Sequence, residues 1–209
     1  MSESPGTPFR QLLESLEPGD GGLGIDLPGD WLQGRTAYGG LTGALCVEAA
    51  RRLNPDLPPL RNAHFALAGP ATGRLTVTAG VVRRGKSAVV IEASVTGEAG
   101  PAARALLTYG TGRESRVVRD GDAAPAVPSP QDCPAFFDPD RAPGFARHFD
   151  VRLAAGARPP TPGAEPPPAS GSAMVMARRP GACPPSWPWR TPFPRPPLCC
   201  FRSSPLSAP

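Results

Sequence analysis

The strongest helical pattern in the chain covers residues 38–54, where small and apolar side chains run almost without interruption. Gly39 and Gly40 open this segment, and Pro55 predicts its end, because the residue before a proline disfavours helical angles. Gly43 lies inside the segment, although a helical glycine costs about 1 kcal/mol of helix propensity. We expect such a glycine where another backbone approaches closely. The pattern therefore predicts one mostly apolar helix around which a sheet can wrap.

Four segments after this helix alternate apolar and polar residues with a period of two, as strands with one buried face do. They are residues 61–68, 73–83, 86–96 and 102–110. Short glycine-containing turns at 84–85 and 97–100 favour antiparallel hairpins between them. The predicted fold class is α+β, with a curved antiparallel sheet wrapped around a central helix.

The chain before the helix carries weaker signals. Residues 9–16 predict a short amphipathic helix, residues 18–22 a turn and residues 23–27 a strand. Residues 31–37 then lead into the central helix.

The composition changes after Arg158. Residues 159–209 hold 16 of the 31 prolines, five arginines and one acid, so the formal net charge of +4 comes entirely from this tail. Proline removes the hydrogen bonds of ladders and helices, which predicts a disordered tail. A basic tail is poor evidence for nucleic-acid binding, which needs a basic face on a folded element, so we expect no nucleic-acid partner.

The predicted organisation therefore has four parts. They are an N-terminal domain at 8–112, a linker at 113–143, the start of an incomplete second domain at 144–158 and the proline-rich tail at 159–209. A one-base shift of the reading frame permits residues 186–196 to encode a run of leucine, alanine and one aspartate. Our hypothesis for the tail is therefore a frameshift near residues 158–165.

No N-terminal apolar run looks like a signal peptide, and no run reaches the ~18–20 apolar residues of a membrane span. The cysteines of the tail, at positions 183, 199 and 200, lack a metal-ligand spacing, and Cys46 and Cys133 stand alone. We expect a cytoplasmic protein with reduced thiols, no membrane span and no metal.

Five stretches occur in the order and at the spacing of a known family. They are GRTAYGG at 34–40, HFALAGP at 64–70, VRRGKS at 82–87, ALLTYG at 105–110 and FARHF at 145–149. With them, residues 8–158 resemble the acyl-CoA thioesterase family with a double hotdog fold, the thioesterase II or TesB-like group. The resemblance implies a hotdog fold and hydrolysis of fatty acyl-CoA to free acid and CoA, with neither a metal nor an organic cofactor. The family's catalytic aspartate, glutamine and serine or threonine are not carried over, because the chain after Arg158 does not match.

The helix start is the candidate site. The backbone amides of Gly40 and Leu41 lie at the positive end of the helix dipole and can hold an oxyanion, although a glycine pair also suits a tight turn. Gly39 belongs to the same candidate substrate site. Tyr38 either lines an acyl pocket or packs against the sheet.

Four charged or titratable groups and a histidine offer further chemistry. Glu48 is a possible general base, but a solvated or paired carboxylate is the favoured alternative. His64 is a substrate-site candidate, and a structural hydrogen bond at the sheet is favoured over catalysis. The hairpin residues Arg83, Arg84 and Lys86 are candidates for binding CoA phosphates, with a solvated turn as the alternative.

The leading function is an acyl-CoA thioesterase that pairs through its hotdog as a homo-oligomer. A non-catalytic acyl-CoA-binding module and an inactive truncated product are the alternatives. An enoyl-CoA hydratase ranks last, because residues 38–45 contain neither the Asp nor the His that this chemistry needs.

Overall fold

The computed structural model describes residues 6–117, 128–138, 140–155, 173–177 and 199–202. These residues divide into two units. The first comprises the residues up to 117 together with Pro143–Phe145, and the second comprises the other described residues.

The first unit contains two helices and eight strands among its described residues. In chain order they are α1 (Phe9–Glu14), β1 (Glu17–Gly19), β2 (Gly22–Asp26), β3 (Leu32–Gln33), β4 (Thr36–Ala37), α2 (Gly39–Leu53), β5 (Leu60–Leu67), β6 (Arg74–Arg84), β7 (Ala88–Gly97) and β8 (Gly100–Gly110). A short 3-10 turn, Gly29–Trp31, precedes β3. The predicted central helix is confirmed, and each predicted strand after it begins and ends within two residues of its expected bounds.

Six of these strands form one antiparallel sheet in the order β1-β2-β6-β7-β8-β5. The small β3–β4 hairpin lies outside it. The prediction of a plain turn at residues 18–22 is wrong in part, because Glu17–Gly19 pairs with Gly22–Asp26. Gly21 lies between them with φ +80°, a conformation that glycine adopts without strain, so the turn occupies fewer residues than its composition indicates.

Helix α2 packs on the inner face of the sheet, against β6, β7 and β8. Side chains with no exposed surface come from both elements: Leu45, Cys46, Ala49 and Ala50 from the helix, and Leu75, Val77, Ile91, Val95 and Leu107 from the sheet. Each buried Val, Ile or Leu contributes about 1.5–3 kcal/mol relative to leaving it exposed. The predicted α+β fold with a sheet wrapped around one helix is confirmed.

The second unit contains one described sheet of three antiparallel strands, in the order β11-β10-β9. They are β9 (Asp150–Ala155), β10 (Ala173–Ala177) and β11 (Cys199–Arg202). The pattern predicts a strand from Phe145 onward, but a 3-10 turn at Gly144–His148 comes first. The regular alternation of apolar residues starts only at Phe149, next to the first residue of β9, which explains the later strand.

Two segments of the tail differ from the expectation that 159–209 forms no ladder. Strands β10 and β11 both lie there, and both are free of proline, so their amides remain available for pairing. The rest of 159–209, and with it most of the predicted disorder, falls outside the described residues. Within the described part of the chain, no helix has the length and hydropathy to cross a membrane.

Candidate functional site

The chain reaches the start of α2 along an anchored backbone. The amide of Ala37 donates to the carbonyl of Ala71 over 2.8 Å, and the amide of Tyr38 donates to the carbonyl of Trp31 over 3.0 Å. Trp31 is itself buried, and its Nε1 donates to the carbonyl of Thr7 over 2.9 Å. These bonds fix Tyr38 as the residue before the helix and set the direction in which the helix starts.

Two glycines of α2 face side chains from strand β5. A Cβ added to Gly39 would lie 2.9 Å from Cδ1 of Leu67, and one added to Gly43 would lie 3.4 Å from the ring of Phe65. The prediction that another backbone approaches Gly43 closely is wrong, because its nearest neighbour is the half-exposed ring of Phe65 at ordinary van der Waals distance. At the helix start, glycine on one element therefore meets large apolar side chains on the other.

Phe65 and Leu67, here called the β5 strip, border the helix start and remain open to solvent. Their exposed fractions are 45% and 62%. Both face the helix side of the sheet, because they pair with Ala105 and Ala103, which are buried beneath α2. Within the described part of the chain, β5 pairs with β8 alone and is thus a sheet edge. The strip is an apolar surface on an open edge beside the helix N-terminus.

The backbone amides at the helix start differ in whether they donate a hydrogen bond. The amides of Leu41 and Thr42 donate to the carbonyl of Tyr38 over 2.9 and 3.2 Å. The expectation that Leu41 presents an unpaired donor is therefore wrong, because the first turn is closed by a short-range bond. No described residue accepts a hydrogen bond from the amide of Gly39 or Gly40. Gly40, at the positive end of the helix dipole, is the oxyanion-donor candidate that the geometry retains.

Tyr38 packs against Gly40 and Phe145. Its ring folds back over Gly40, where an added Cβ would lie 2.7 Å from Cζ. On Phe145 the ring is stacked, with centroids 4.2 Å apart and planes 1° from parallel. Burial raises the pKa of the Tyr38 phenol above its usual 10. The phenol is therefore neutral at physiological pH and forms a wall beside the amides.

Glu48 is buried but fully engaged, so the paired alternative is confirmed and the solvated one is wrong. Arg51 donates to both carboxylate oxygens over 2.8 and 3.0 Å, and Nε of Arg52 donates to Oε1 over 2.7 Å. Burial alone would raise the pKa of Glu48, but the hydrogen bonds and charges of the two guanidinium groups lower it below its usual value. Eight residues along the helix from Gly40, or about 12 Å, this carboxylate is badly placed to act as a general base.

His64 lies on the opposite face of β5 from the strip. It pairs with Leu106, its side chain is exposed, and no described residue makes a hydrogen bond with its ring. The expected structural hydrogen bond at the sheet is therefore wrong. The alternation of strand side chains directs His64 away from the helix start.

Three basic side chains, here called the basic hairpin, are all exposed: Arg83, Arg84 and Lys86. Arg84 on β6 lies opposite Val89 on β7, which in turn lies opposite Tyr109 on β8. Leu67 on β5 lies opposite Ala103 on β8. Residues 103 and 109 are six positions apart along β8, which is about 20 Å. The structure therefore separates the predicted phosphate-binding group from the helix start instead of bringing the two together.

Comparison with known proteins agrees with this fold. Residues 27–110 match the sequence family described as the acyl-CoA thioesterase N-terminal domain. Residues 27–110 are thus similar to an acyl-CoA thioesterase N-terminal domain, and their fold is a hotdog fold. This confirms the resemblance to the hotdog thioesterase II or TesB-like proteins. None of the curated proteins matches the chain significantly.

Three solved structures share the fold of this chain. A conserved protein of unknown function with a hotdog fold from Alicyclobacillus acidocaldarius gives a TM-score of 0.68 at 20% identity, covering 82% of this chain and 62% of that one. The TesB protein of Mycobacterium avium subs paratuberculosis gives 0.62 at 16% identity, covering 85% and 63%. The acyl-CoA thioesterase II TesB2 of Mycobacterium marinum gives 0.58 at 18% identity, covering 81% and 60%. The chain thus spans less than two thirds of each of these structures.

Sequence reasoning missed two features of the candidate site. The exposure of Phe65 and Leu67 follows from the edge position of β5, which the order of strands along the chain does not reveal. The contact between Phe145 and Tyr38 joins residues 107 positions apart, and no local sequence pattern predicts it. The available signal was that FARHF, which contains Phe145, is one of the stretches that resemble the family.

Proposed function

We propose that this thioesterase-type protein binds acyl-CoA at the start of α2 and hydrolyses the thioester to free acid and CoA. The observation that carries the proposal is the juxtaposition of the Gly39 and Gly40 amides with the exposed β5 strip. Amides at a helix N-terminus suit a polarised carbonyl, and an apolar strip suits an acyl chain. The family to which residues 27–110 match supports the same class of substrate. We infer a cytoplasmic role in fatty acid metabolism.

The proposed chemistry is addition of water to the thioester carbonyl. The carbonyl oxygen accepts a hydrogen bond from the amide of Gly40, and Phe65 and Leu67 hold the acyl chain. As water adds, the carbonyl electron pair moves to the oxygen, and the amide and the helix dipole stabilise this oxyanion. Collapse of the intermediate restores the carbonyl of the acid and expels the thiolate of CoA, which takes up a proton.

The basic hairpin is our candidate for the CoA phosphates. Guanidinium groups bind phosphate oxygens well, and the three hairpin cations are exposed. The pantetheine arm of CoA is a long, flexible chain. We propose that it follows the sheet from the helix start toward the basic hairpin.

Water activation needs a general base that the described residues do not supply at the helix start. Glu48 is held by two arginines, and His64 lies on the other face of β5. We propose that a second hotdog pairs along the open edge of β5, in a homo-oligomer, and brings further side chains to the site. An unpaired chain would bind the substrate without turning it over.

The lack of a general base at the helix start among the described residues favours a second candidate, a protein without thioesterase activity. It would be either a non-catalytic acyl-CoA-binding module or an inactive truncated product. The specific observation is the ion-paired state of Glu48. Binding without release of CoA distinguishes this alternative from the leading proposal.

The test uses the full chain and two assays. Calorimetry measures binding of a non-hydrolysable decyl-CoA thioether, and a thiol-reactive dye measures CoA released from decanoyl-CoA. Phe65→Ser is expected to weaken binding about tenfold, because its apolar contact with the acyl chain is lost. Leu106→Ser is the matched control, since Leu106 is exposed to 44% against 45% for Phe65 but lies on the opposite face.

The outcomes separate the candidates. Binding with release of CoA supports hydrolysis. Because an unpaired chain is expected to bind without turnover, binding without release supports the binding module when size-exclusion chromatography shows that the assayed chain is oligomeric. If the wild-type chain binds no thioether, or if both variants lose affinity equally, the proposed site is wrong.

A further inference from the structure

Phe145 returns to the helix start from beyond the linker and is built into the first unit. Its exposed fraction is 7%, and its ring lies parallel to that of Tyr38 at a centroid distance of 4.2 Å. The preceding Gly144 lies so close to the first unit that an added Cβ would be 3.2 Å from the carbonyl oxygen of Asp30 and 3.4 Å from that of Gly29. The backbone before Phe145 therefore packs closely against the first unit, as the Phe145 ring does.

The Tyr38 ring also lies against the backbone of Gly40. The ring covers Gly40, where an added Cβ would be 2.7 Å from Cζ and 2.9 Å from the phenol oxygen. The ring thus contacts both Gly40 and Phe145, and the glycine has no side chain that could adjust. Removal of the Phe145 ring takes away the stacked partner of Tyr38.

We propose that Phe145 is a positioning residue for the helix-start site, because it stacks on the Tyr38 ring, which lies against Gly40, and so fixes the wall beside the Gly39 and Gly40 amides. This inference rests on the proposed acyl-CoA site, since the wall matters to a ligand only if a ligand binds there. The two sides of the site then differ in kind. Tyr38 is a fixed wall next to the amides, whereas the β5 strip is solvent-exposed and adapts to the acyl chain.

The position of the Tyr38 ring is measurable without any ligand. The chain has two tyrosines, at positions 38 and 109, so 3-fluorotyrosine labelling gives two fluorine resonances, which Tyr38→Phe assigns. Stacked on Phe145, Tyr38 experiences its ring current. Phe145→Leu is expected to move the Tyr38 resonance and leave that of Tyr109 in place, which also shows that the fold is intact.

Two further variants serve as controls for this signature. Phe145→Tyr keeps an aromatic ring and is expected to restore the wild-type resonance. Phe136→Leu removes a different aromatic contact, the edge-on pair with Phe137 at 5.0 Å, and is expected to leave the Tyr38 resonance unchanged.

Binding of the decyl-CoA thioether completes the test. Phe145→Leu is expected to weaken binding about three- to tenfold, the size of an aromatic pair expressed as an affinity, and Phe145→Tyr is expected to restore it. The inference is overturned if the Tyr38 resonance does not move, or if wild type and Phe145→Leu bind equally well. A wild-type chain that binds no thioether overturns the proposed function and the inference with it, whereas binding that is insensitive to Phe145 overturns the inference alone.

Discussion

Arg52 ties the buried carboxylate of Glu48 to the first helix. Its Nε donates to Oε1 of Glu48 over 2.7 Å, and its two terminal nitrogens donate to the carbonyls of Leu13 and Leu16 over 2.7 and 3.0 Å. Leu13 lies in the last turn of α1, where its carbonyl also accepts from the amide of Leu16, and Leu16 lies two residues beyond the end of the helix. One guanidinium group thus satisfies a buried charge in α2 and holds α1 against it.

Loss of Arg52 is therefore expected to destabilise the fold. In Arg52→Met the Glu48 carboxylate keeps only Arg51, the Leu16 carbonyl loses its Arg52 donor and the Leu13 carbonyl keeps only the amide of Leu16, so the free energy of unfolding should fall by about 2–4 kcal/mol. Urea denaturation measures this. Arg10→Met is the control, because its pair with Glu14 is exposed and is expected to contribute less than about 0.5 kcal/mol. Equal losses in both variants would contradict a structural role for the Glu48 cluster.

Low pH is expected to break the ion pairs of Glu48 with Arg51 and Arg52. The folded pKa of Glu48 lies below its usual value, so its stabilising contribution is full above the unfolded pKa of about 4.3 and is lost as the pH falls through the lower, folded pKa. Glu48→Gln removes this titration and should flatten the dependence of unfolding free energy on pH below about pH 4. Parallel pH profiles for wild type and variant would refute this assignment.

The glycines of α2 are expected to respond differently to alanine. At Gly43 an added methyl meets only the exposed ring of Phe65 at 3.4 Å, so Gly43→Ala should gain up to about 1 kcal/mol from helix propensity. At Gly40 the methyl overlaps Tyr38, and Gly40→Ala should lose about 1–3 kcal/mol through overpacking. Thermal unfolding of the two variants gives the comparison, and a destabilised Gly43→Ala would mean that the sheet needs more room there than the contact indicates.

Tyr109 places a hydroxyl in the core without a hydrogen-bond partner among the described residues. Tyr109→Phe is therefore expected to raise the free energy of unfolding at neutral pH by about 1 kcal/mol. Burial, assisted by the charge of Glu48, raises the pKa of Tyr109 to about 12.

The same residue predicts an alkaline transition. Because the folded pKa is raised, stability is full below the usual value of 10.0 and is lost as the pH rises toward about 12. Tyr109→Phe should delay alkaline unfolding, which circular dichroism follows. Identical alkaline midpoints for the two proteins would show that another group controls the transition.

The composition of the tail predicts a property of the gene. If a frameshift near residues 158–165 produced the proline-rich sequence, the neighbouring reading frame should encode an alanine- and leucine-rich helix with one aspartate over the codons of 186–196. Sequencing and translating the coding DNA is the measurement. Stop codons in that frame would end the hypothesis.

The sequence by itself determined the helix and the strands that enclose it. Local signals suffice there: Pro55 ends the helix, and the period-two runs decide which strand face is buried, as at Leu75 and Ile91. The family resemblance also follows from the sequence, because its stretches are contiguous. The glycines at the start of the helix and in its first turns are unfavourable for a helix, and the sequence therefore predicted that another part of the chain lies close to them.

Only the tertiary structure decided what those neighbours are. The edge position of β5 leaves Phe65 open, and the register sets the basic hairpin about 20 Å from the row of Leu67. The pairing of Glu48 with Arg51 is local, but its burial and the reach of Arg52 to α1 are not. The stack of Phe145 on Tyr38 closes a loop of 107 residues, and such contacts depend on how the whole chain packs and not on the side chains next to them.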